Sequence, residues 1–250
     1  MALANATKVD TVVIGAGIIG LAVCRALQSR EVILVDRASH IGSETSSRNS
    51  EVVHAGIYYE PSSLKAQFCV EGKNKIYDYC QDRFIPHKRC GKLVVATQPE
   101  QLETLKKLQK QAETNGVETQ LLSSNETLDR EPKLSPGIQG SLWSPSTGVV
   151  DSHALMMSFL ADSEGTTLAL NSAVEDARIQ DNNLYVNVDF MWLSCTNVIN
   201  CTGLWASDVA SLFHKEGWTP PGQFFCKGTY FRAPNISFQH LVYPIPDPKG

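Results

Sequence analysis

Three glycines and an acidic residue near the N-terminus carry the first chemistry that the sequence suggests. Gly15, Gly17 and Gly20 form a G-x-G-x-x-G pattern, and Asp36 follows the next apolar run. Glycines at this spacing permit a tight turn, let the backbone approach a pyrophosphate, and let a helix pack closely on a sheet. A carboxylate one strand further on can accept hydrogen bonds from ribose hydroxyls and would repel the extra phosphate of NADP. The pattern therefore predicts a dinucleotide site.

The elements that must position these residues are indicated in the right order. Val12–Ile14 is an apolar run typical of a buried parallel strand, and an apolar helical pattern follows the last glycine. A second apolar strand, 32–35, ends directly before the acid. A pyrophosphate would then lie against free N–H groups at the N-terminus of the helix. The interval between Gly20 and Asp36 is slightly short, so we expect a helix that lacks part of a turn.

Composition limits the classes of function. The 250 residues are 42% hydrophobic and 19% charged, with a net charge of −4 and a pI near 5.9, which gives no reason to expect nucleic acid or an anionic membrane surface as a partner. No apolar run is long enough to span a bilayer. The seven cysteines form no C-x-x-C pair, which favours reduced thiols and an intracellular compartment. Cys80, His87 and Cys90 lack a fourth ligand, so we expect no metal.

A polar run, 43–50, and a strand-like segment, 52–59, follow Asp36, and together they would suit a long cofactor with a diphosphate and a polyol chain. At this point the sequence resembles a known family. GAGIIG at 15–20, SSRNS at 46–50 and HAGIYY at 54–59 resemble the FAD-dependent oxidoreductases of the D-amino-acid oxidase superfamily. The resemblance is closest to the L-2-hydroxyglutarate dehydrogenases. It continues through CGKLVVAT at 90–97, GVVDSH at 148–153 and LVYPIP at 241–246, and so covers nearly the whole chain.

The resemblance implies an α/β fold with two domains. Residues 8–82 and 148–215 would form an FAD-binding Rossmann-like domain of the glutathione-reductase type. Residues 83–147 and 216–250 would form an α+β substrate domain that lacks its C-terminal part. Members of the family continue well beyond Gly250, so we expect a fragment or a truncated product that is marginally stable and inactive alone.

Periodicity and turn residues predict the remaining elements. Helices are expected at 63–83, 101–114 and 153–161. Strands are expected at 91–97, 168–174, 184–188, 196–201 and 224–232. The segment 123–148, rich in Pro, Gly and Ser, is expected to cross between the domains.

The resemblance also implies roles for individual residues. The residues expected to contact FAD are Gly15, Gly17, Gly20, Asp36, Arg37, Thr45, Ser46, Ser47, Arg48, Asn49, Ser50, Val174, Cys201, Thr202 and Gly203. His54 is the expected base, because the ordinary pKa of histidine lies near working pH; considered alone, such a histidine is more often a core residue. Tyr58 occupies the position where FAD-dependent glycerol-3-phosphate dehydrogenases carry a phosphate-binding arginine, which argues against a phosphorylated substrate. Lys92 and Lys227 are candidates for binding a substrate carboxylate, although both could be solvated surface lysines.

The function that the resemblance implies is oxidation of a 2-hydroxy acid, L-2-hydroxyglutarate to 2-oxoglutarate, with a hydride passing from C2 to flavin N5 and electrons then passing to a quinone or another acceptor. Two alternatives stay open: an amino-acid or amine oxidase of the same superfamily, and a truncated product without catalysis. The resemblance implies a mitochondrial location. The N-terminus shows no readable presequence, so the cytoplasm is the alternative.

Overall fold

The computed structural model describes residues 3–213 and 218–246. Within them the α-helices are α1 (Ile18–Ala26), α2 (Leu64–Asp82), α3 (Gln101–Thr114), α4 (Ser124–Arg130), α5 (Ser152–Ala161) and α6 (Ala206–Ser211). The strands are β1 (Thr7–Ile14), β2 (Val32–Val35), β3 (Val52–Val53), β4 (His87–Lys88), β5 (Lys92–Ala96), β6 (Gln120–Ser123), β7 (Gly140–Ser144), β8 (Gly148–Val150), β9 (Thr166–Ala169), β10 (Val174–Gln180), β11 (Asn183–Val188), β12 (Met191–Asn200) and β13 (Leu241–Pro244). The chain divides into unit 1 (Met1–Ser50 and Ser152–Gly228) and unit 2 (Glu51–Asp151 and Thr229–Gly250).

Unit 1 is built on a sheet whose described strands lie in the order β10-β11-β12-β1-β2-β9. The strands from β12 to β9 are parallel, and β10, β11 and β12 form an antiparallel meander at one side. Val12 and Val13, at the centre of β1, are fully buried on opposite faces, as expected for a parallel strand covered on both sides. The predicted strand, glycine turn, short helix and second strand are all confirmed, and α1 has only nine residues.

Unit 2 contains two smaller sheets in its described part, β13-β5-β7-β6 and β3-β8-β4. Strand β13 runs parallel to β5, and β7 is antiparallel to both of its neighbours, β5 and β6. Leu105 and Ala112 of α3 pack in one cluster with Val94 and Ala96 of β5. Helix α2 begins after Ser63, whose hydroxyl accepts a hydrogen bond from Ala66 N at 3.1 Å. The predicted helices 63–83 and 101–114 and the strand 91–97 are confirmed within a residue or so at each end.

Three predicted elements are wrong. The strand-like segment 52–59 is a strand only at Val52–Val53, because Gly56 has a φ of +101° and turns the chain. The expected strand 168–174 is interrupted at Asn171, where φ is +55°, so that β9 ends before it and β10 begins after it. The segment 224–232 contains no strand, and its side chains are exposed throughout.

The segment 123–148 was expected to be a connection, but it contains α4 and β7. Ser123 and Glu126 form a reciprocal capping box, in which each side chain bonds the backbone N–H of the other. This signal was present in the sequence as S-x-x-E. The Ser-rich composition concealed it.

The two units of the structure divide the chain at positions that differ from the predicted domain boundaries. The break at 50/51, rather than 82/83, follows from the packing of α2 within unit 2, where Tyr77 Oη donates to the Ser146 carbonyl at 3.1 Å and Lys73 Nζ donates to Ser146 Oγ at 3.2 Å. The expected boundary at 215/216 lies outside the described residues. Among the helices that the structure describes, none is long and apolar enough to cross a membrane.

Candidate functional site

The glycine turn of unit 1 is packed so closely that side chains are excluded from it. Gly15 has a φ of +104°, and a Cβ there would lie 2.6 Å from the carbonyl oxygen of Cys201. A Cβ on Gly20 would lie 1.9 Å from the carbonyl oxygen of Gly15. These contacts join the end of β1, the start of α1 and the turn after β12. The predicted roles of the first and last glycines, a tight turn and a close helix, are therefore seen directly in the packing.

The N-terminus of α1 opens toward the polar loop at 43–50. Gly17 precedes the helix and has no side chain to cap it. The Ile18 N–H donates instead to Ser46 Oγ at 3.0 Å, and a Cβ on Gly17 would lie 3.0 Å from the same oxygen. The first-turn N–H groups of a helix have no acceptor within the helix and attract anions. This end of α1, with the Ser46 hydroxyl beside it, can therefore receive a phosphate group.

Asp36 is held rigidly at the end of β2. Its Oδ2 accepts a hydrogen bond from Ala16 N at 2.6 Å, and its Oδ1 accepts one from Ala38 N at 2.8 Å. A carboxylate has about four lone-pair positions, so each oxygen can still accept another donor. Asp36 is thus fixed next to the glycine turn with the capacity to bind ribose hydroxyls.

The Arg37 guanidinium lies over an aromatic ring to which the sequence analysis assigned no role. Its guanidinium carbon is 4.1 Å from the centroid of the Trp205 indole, and its Nη2 donates to Glu44 Oε1 at 2.9 Å. Trp205 comes two residues after Gly203, which ends the small-residue turn after β12. The dipeptide Leu-Trp after that turn was the available signal, since an aromatic side chain is unusual in such an exposed position.

The predicted contacts in the loop 45–50 and in the turn after β12 lie in the same unit. Gly203 has a φ of +56°, and a Cβ there would be 3.9 Å from Thr45 Oγ1. Thr202 is fixed by Asn200, whose Oδ1 accepts from both Thr202 N and Thr202 Oγ1, at 3.2 and 2.7 Å. Burial raises the pKa of the Cys201 thiol. The thiol is therefore uncharged at pH 7 and packs in the turn rather than acting as a nucleophile.

Other residues predicted to contact the cofactor lie on the surface or at the edge of the core. Ser47, Arg48, Asn49 and Ser50 are exposed, and Arg48 donates to Ser47 Oγ at 2.8 Å within the loop. Val174 begins β10 and packs against the core of the sheet. Its neighbour Ser172 donates its N–H to the Asp36 carbonyl at 2.8 Å, which places this segment beside the end of β2.

His54 lies in unit 2, in the loop after β3. Its carbonyl oxygen accepts a hydrogen bond from the Cys69 thiol at 3.3 Å, and its ring is half-buried. Burial lowers the pKa of His54 below 6.5, and the positive charges of Lys92 and Lys65 lower it further. The imidazole is therefore neutral at pH 7 and able to accept a proton.

Lys92 is buried, with 1% of its surface exposed, which excludes the surface-lysine interpretation. Its Nζ lies 4.5 Å from the ring centroid of Tyr58 and 4.7 Å from that of Tyr243. Burial lowers the pKa of Lys92 from 10.5 to about 8, against a smaller opposing effect of Cys69. Burial also raises the pKa of Tyr58, with smaller contributions from Tyr243 and Tyr59, so its phenol stays protonated. No role for Tyr243 was predicted, because the direction of its side chain depends on the pairing of β13.

The last predicted substrate contact, Lys227, is exposed and belongs to unit 1. It forms no described hydrogen bond or ion pair, and its role stays a prediction. Among the described residues, no group of three or more His, Cys, Asp or Glu side chains could hold a metal ion. The described cysteines are free thiols.

The donor set of unit 1 fits a flavin dinucleotide. The open helix end and the Ser46 hydroxyl suit a pyrophosphate, Asp36 suits a ribose, and the contact of Gly15 with Cys201 brings the turn after β12 against the glycine turn. The negative charge of Asp36 would repel the extra phosphate of NADP.

Comparisons with known proteins agree with this geometry. Residues 10–250 match the family described as FAD dependent oxidoreductase (DAO). The mitochondrial L-2-hydroxyglutarate dehydrogenase of Arabidopsis thaliana is 37% identical over 283 residues, which cover 97% of this chain and 58% of that protein. The L-2-hydroxyglutarate dehydrogenase of Escherichia coli (strain K12) is 33% identical, with 96% of this chain and 58% of that protein covered. The chain therefore spans somewhat more than half the length of these relatives.

Solved structures share the fold. The FAD-bound L-alpha-glycerophosphate oxidase from Mycoplasma pneumoniae superimposes with a TM-score of 0.81 at 22% identity, over 96% of this chain and 65% of that one. Glycine oxidase from Geobacillus kaustophilus gives a TM-score of 0.76 at 20% identity, over 82% and 58% of the two chains. These likenesses confirm the predicted α/β fold class. The family match over nearly the whole length shows that this chain belongs to the FAD dependent oxidoreductase family.

Proposed function

We propose that this protein binds FAD and oxidises L-2-hydroxyglutarate to 2-oxoglutarate. The observation that carries the proposal is a neutral, half-buried His54 in the electrostatic field of a buried cation, Lys92. The first is suited to take a proton from a hydroxyl group, and the second attracts a carboxylate. The names of the relatives that match nearly the whole chain support this choice of substrate.

The cofactor would be held by unit 1. The α1 N-terminus and Ser46 would bind the pyrophosphate, and Asp36 would bind the ribose of the adenosine half. Arg37, whose guanidinium lies over the Trp205 ring, would border the adenosine end with a positive charge. Apart from His54, no residue of these motifs marks a covalent attachment point, so the cofactor is expected to be released by heat.

His54 would act as the general base. Oxidation of the alcohol removes the hydroxyl proton and a hydride from C2, leaving a 2-oxo acid. Bound FAD would supply the hydride acceptor, at flavin N5. His54 takes the proton at a ring nitrogen, and its lowered pKa keeps that nitrogen unprotonated at neutral pH.

The charges around His54 favour a hydroxy acid over an amino acid. Lys92 and Lys65 both act on the imidazole electrostatically. The same charges would repel the ammonium group that an amino acid carries at neutral pH, whereas a hydroxyl group is uncharged. The environment would therefore favour L-2-hydroxyglutarate over L-glutamate, which has the same carbon skeleton.

The experiment compares these two compounds. A form of the protein extended to the length of its relatives is loaded with FAD and mixed without oxygen with L-2-hydroxyglutarate or with L-glutamate, and the loss of the oxidised-flavin absorbance is recorded. We expect L-2-hydroxyglutarate to reduce the flavin and L-glutamate to leave it oxidised. If L-glutamate reduced the flavin and L-2-hydroxyglutarate did not, the protein would be an amino-acid oxidase and the proposal would be overturned. The electron acceptor and the compartment stay predictions.

A further inference from the structure

The register of two strands in unit 2 places Lys92 and Tyr243 on one face of a sheet. In the parallel pair of β5 and β13, Lys92 is opposite Leu241 and Val94 is opposite Tyr243. Alternate residues of a strand share a face, so these four side chains point the same way. Tyr58 reaches the same face from the loop after β3. The Lys92 ammonium is thereby held between two tyrosine rings, at 4.5 and 4.7 Å from their centroids.

The two rings stabilise the positive charge of Lys92, but they offer its N–H groups no oxygen or nitrogen acceptor on their faces. Lys92 forms no hydrogen bond or ion pair with any residue in the described ranges. The Tyr58 hydroxyl is also buried, and it has no partner there either. A buried hydroxyl without a partner costs folding free energy, and a bound ligand is one way to supply that partner. The Lys92 ammonium can only donate and the Tyr58 hydroxyl can also donate, so a ligand with negatively charged acceptor atoms would satisfy both.

We propose that the Lys92 ammonium and the Tyr58 hydroxyl bind one carboxylate group of the substrate, with the Tyr243 ring completing the wall of this subsite. The inference rests on the proposed function and gives it a dicarboxylate-binding residue. A carboxylate matches one ammonium and one hydroxyl, each oxygen accepting one donor. Among the described residues no arginine is seen against these three side chains, so the planar fork that binds a phosphate bidentately is absent from the described subsite.

The competing interpretation is structural: Lys92 could serve only to join β5 to β13 through its contacts with the two rings. The two interpretations differ in what a carboxylate does. A structural lysine is indifferent to an added dicarboxylate. A carboxylate-binding lysine determines the affinity for that ligand.

The test is isothermal titration calorimetry of FAD-loaded protein with glutarate, an unreactive dicarboxylate, and with glutaramide, its neutral diamide. Wild-type protein is expected to bind glutarate and not glutaramide. Lys92→Met, which keeps the length of the side chain, should weaken glutarate binding about 10- to 100-fold, the usual value of a charge-assisted hydrogen bond. Tyr58→Phe keeps the ring and removes only the hydroxyl, and should weaken binding by about threefold to tenfold.

The matched control is Lys107→Met. Lys107 is an exposed lysine in helix α3 of the same unit. This variant should change glutarate affinity by less than about threefold. Equal affinity in wild type and Lys92→Met, or no glutarate binding by wild type, would overturn the inference. Lys92-dependent glutarate binding without flavin reduction by L-2-hydroxyglutarate would instead refute the proposed function and leave the subsite standing.

Discussion

Replacing Lys92 by methionine should stabilise the protein, because the lysine is kept buried at a cost to folding. Its pKa falls from 10.5 to about 8 on burial. A difference of one in pKa corresponds to about 1.4 kcal/mol, so a charged Lys92 opposes folding at pH 7 by about 3 kcal/mol. The contacts with the two tyrosine rings return about 1 kcal/mol each. The net gain expected for Lys92→Met is therefore between about 1 and 3 kcal/mol.

The pH dependence has a definite sign. The folded state holds the Lys92 proton less tightly than the unfolded state does, so the destabilisation is complete below pH 8 and declines as the pH rises from about 8 toward 10.5. The stability of the wild type should approach that of Lys92→Met across this range. At pH 7 the variant should melt about 3 to 9 °C higher, for a domain of this size.

Urea unfolding at pH 7 and at pH 9.5, followed by circular dichroism, measures both effects. Lys65→Met is the control, and it should change stability by no more than about 0.5 kcal/mol because the Lys65 side chain is exposed. Lower stability of Lys92→Met at pH 7 would refute the reasoning, since it would mean that the ring contacts outweigh the cost of burying the charge.

Three further predictions concern the glycines and the base. Gly20→Ala should abolish FAD retention, because the new Cβ would lie 1.9 Å from a backbone oxygen, while Gly72→Ala, with open space around it, should retain a full flavin-to-protein ratio. Gly91→Ala should cost about 2 to 5 kcal/mol in urea unfolding, because it combines a φ of +72° with a Cβ 1.8 Å from an indole carbon; an unchanged midpoint would contradict this. The rate of flavin reduction should fall only below pH 6.5, where His54 becomes protonated, and Lys92→Met should move that fall to higher pH because one of the two charges that depress the His54 pKa is removed; an unmoved profile would separate the two residues.

The backbone around the proposed cofactor site was predictable because its signals are local. The glycine spacing, the flanking apolar strands and the acid at 36 lie within one strand-turn-helix-strand unit, where neighbouring residues determine the backbone. The structure places the glycine turn and Asp36 as expected. It adds Ser46 as the acceptor of the Ile18 N–H, a contact that a loop of polar residues suggests only in general terms.

The features that were missed depend on pairing between distant segments. Tyr243 faces Lys92 only because β13 pairs with β5 in one register, and a shift by one residue would turn its ring to the other face. Burial of Lys92 likewise depends on the loop that carries Tyr58, whose turn at Gly56 was mistaken for strand. The capping box at Ser123 was readable, but composition was given more weight than position.

The most direct test of the account is the anaerobic rate of flavin reduction by L-2-hydroxyglutarate at pH 7, measured in a form extended to the length of the relatives, with and without His54→Ala. The account predicts reduction in the wild type, and a rate lower by about two to four orders of magnitude in the variant, the usual contribution of a general base. The FAD content should be the same in both, because His54 belongs to unit 2 and the cofactor contacts proposed above all belong to unit 1. A variant that holds FAD and is reduced at the wild-type rate would contradict the account.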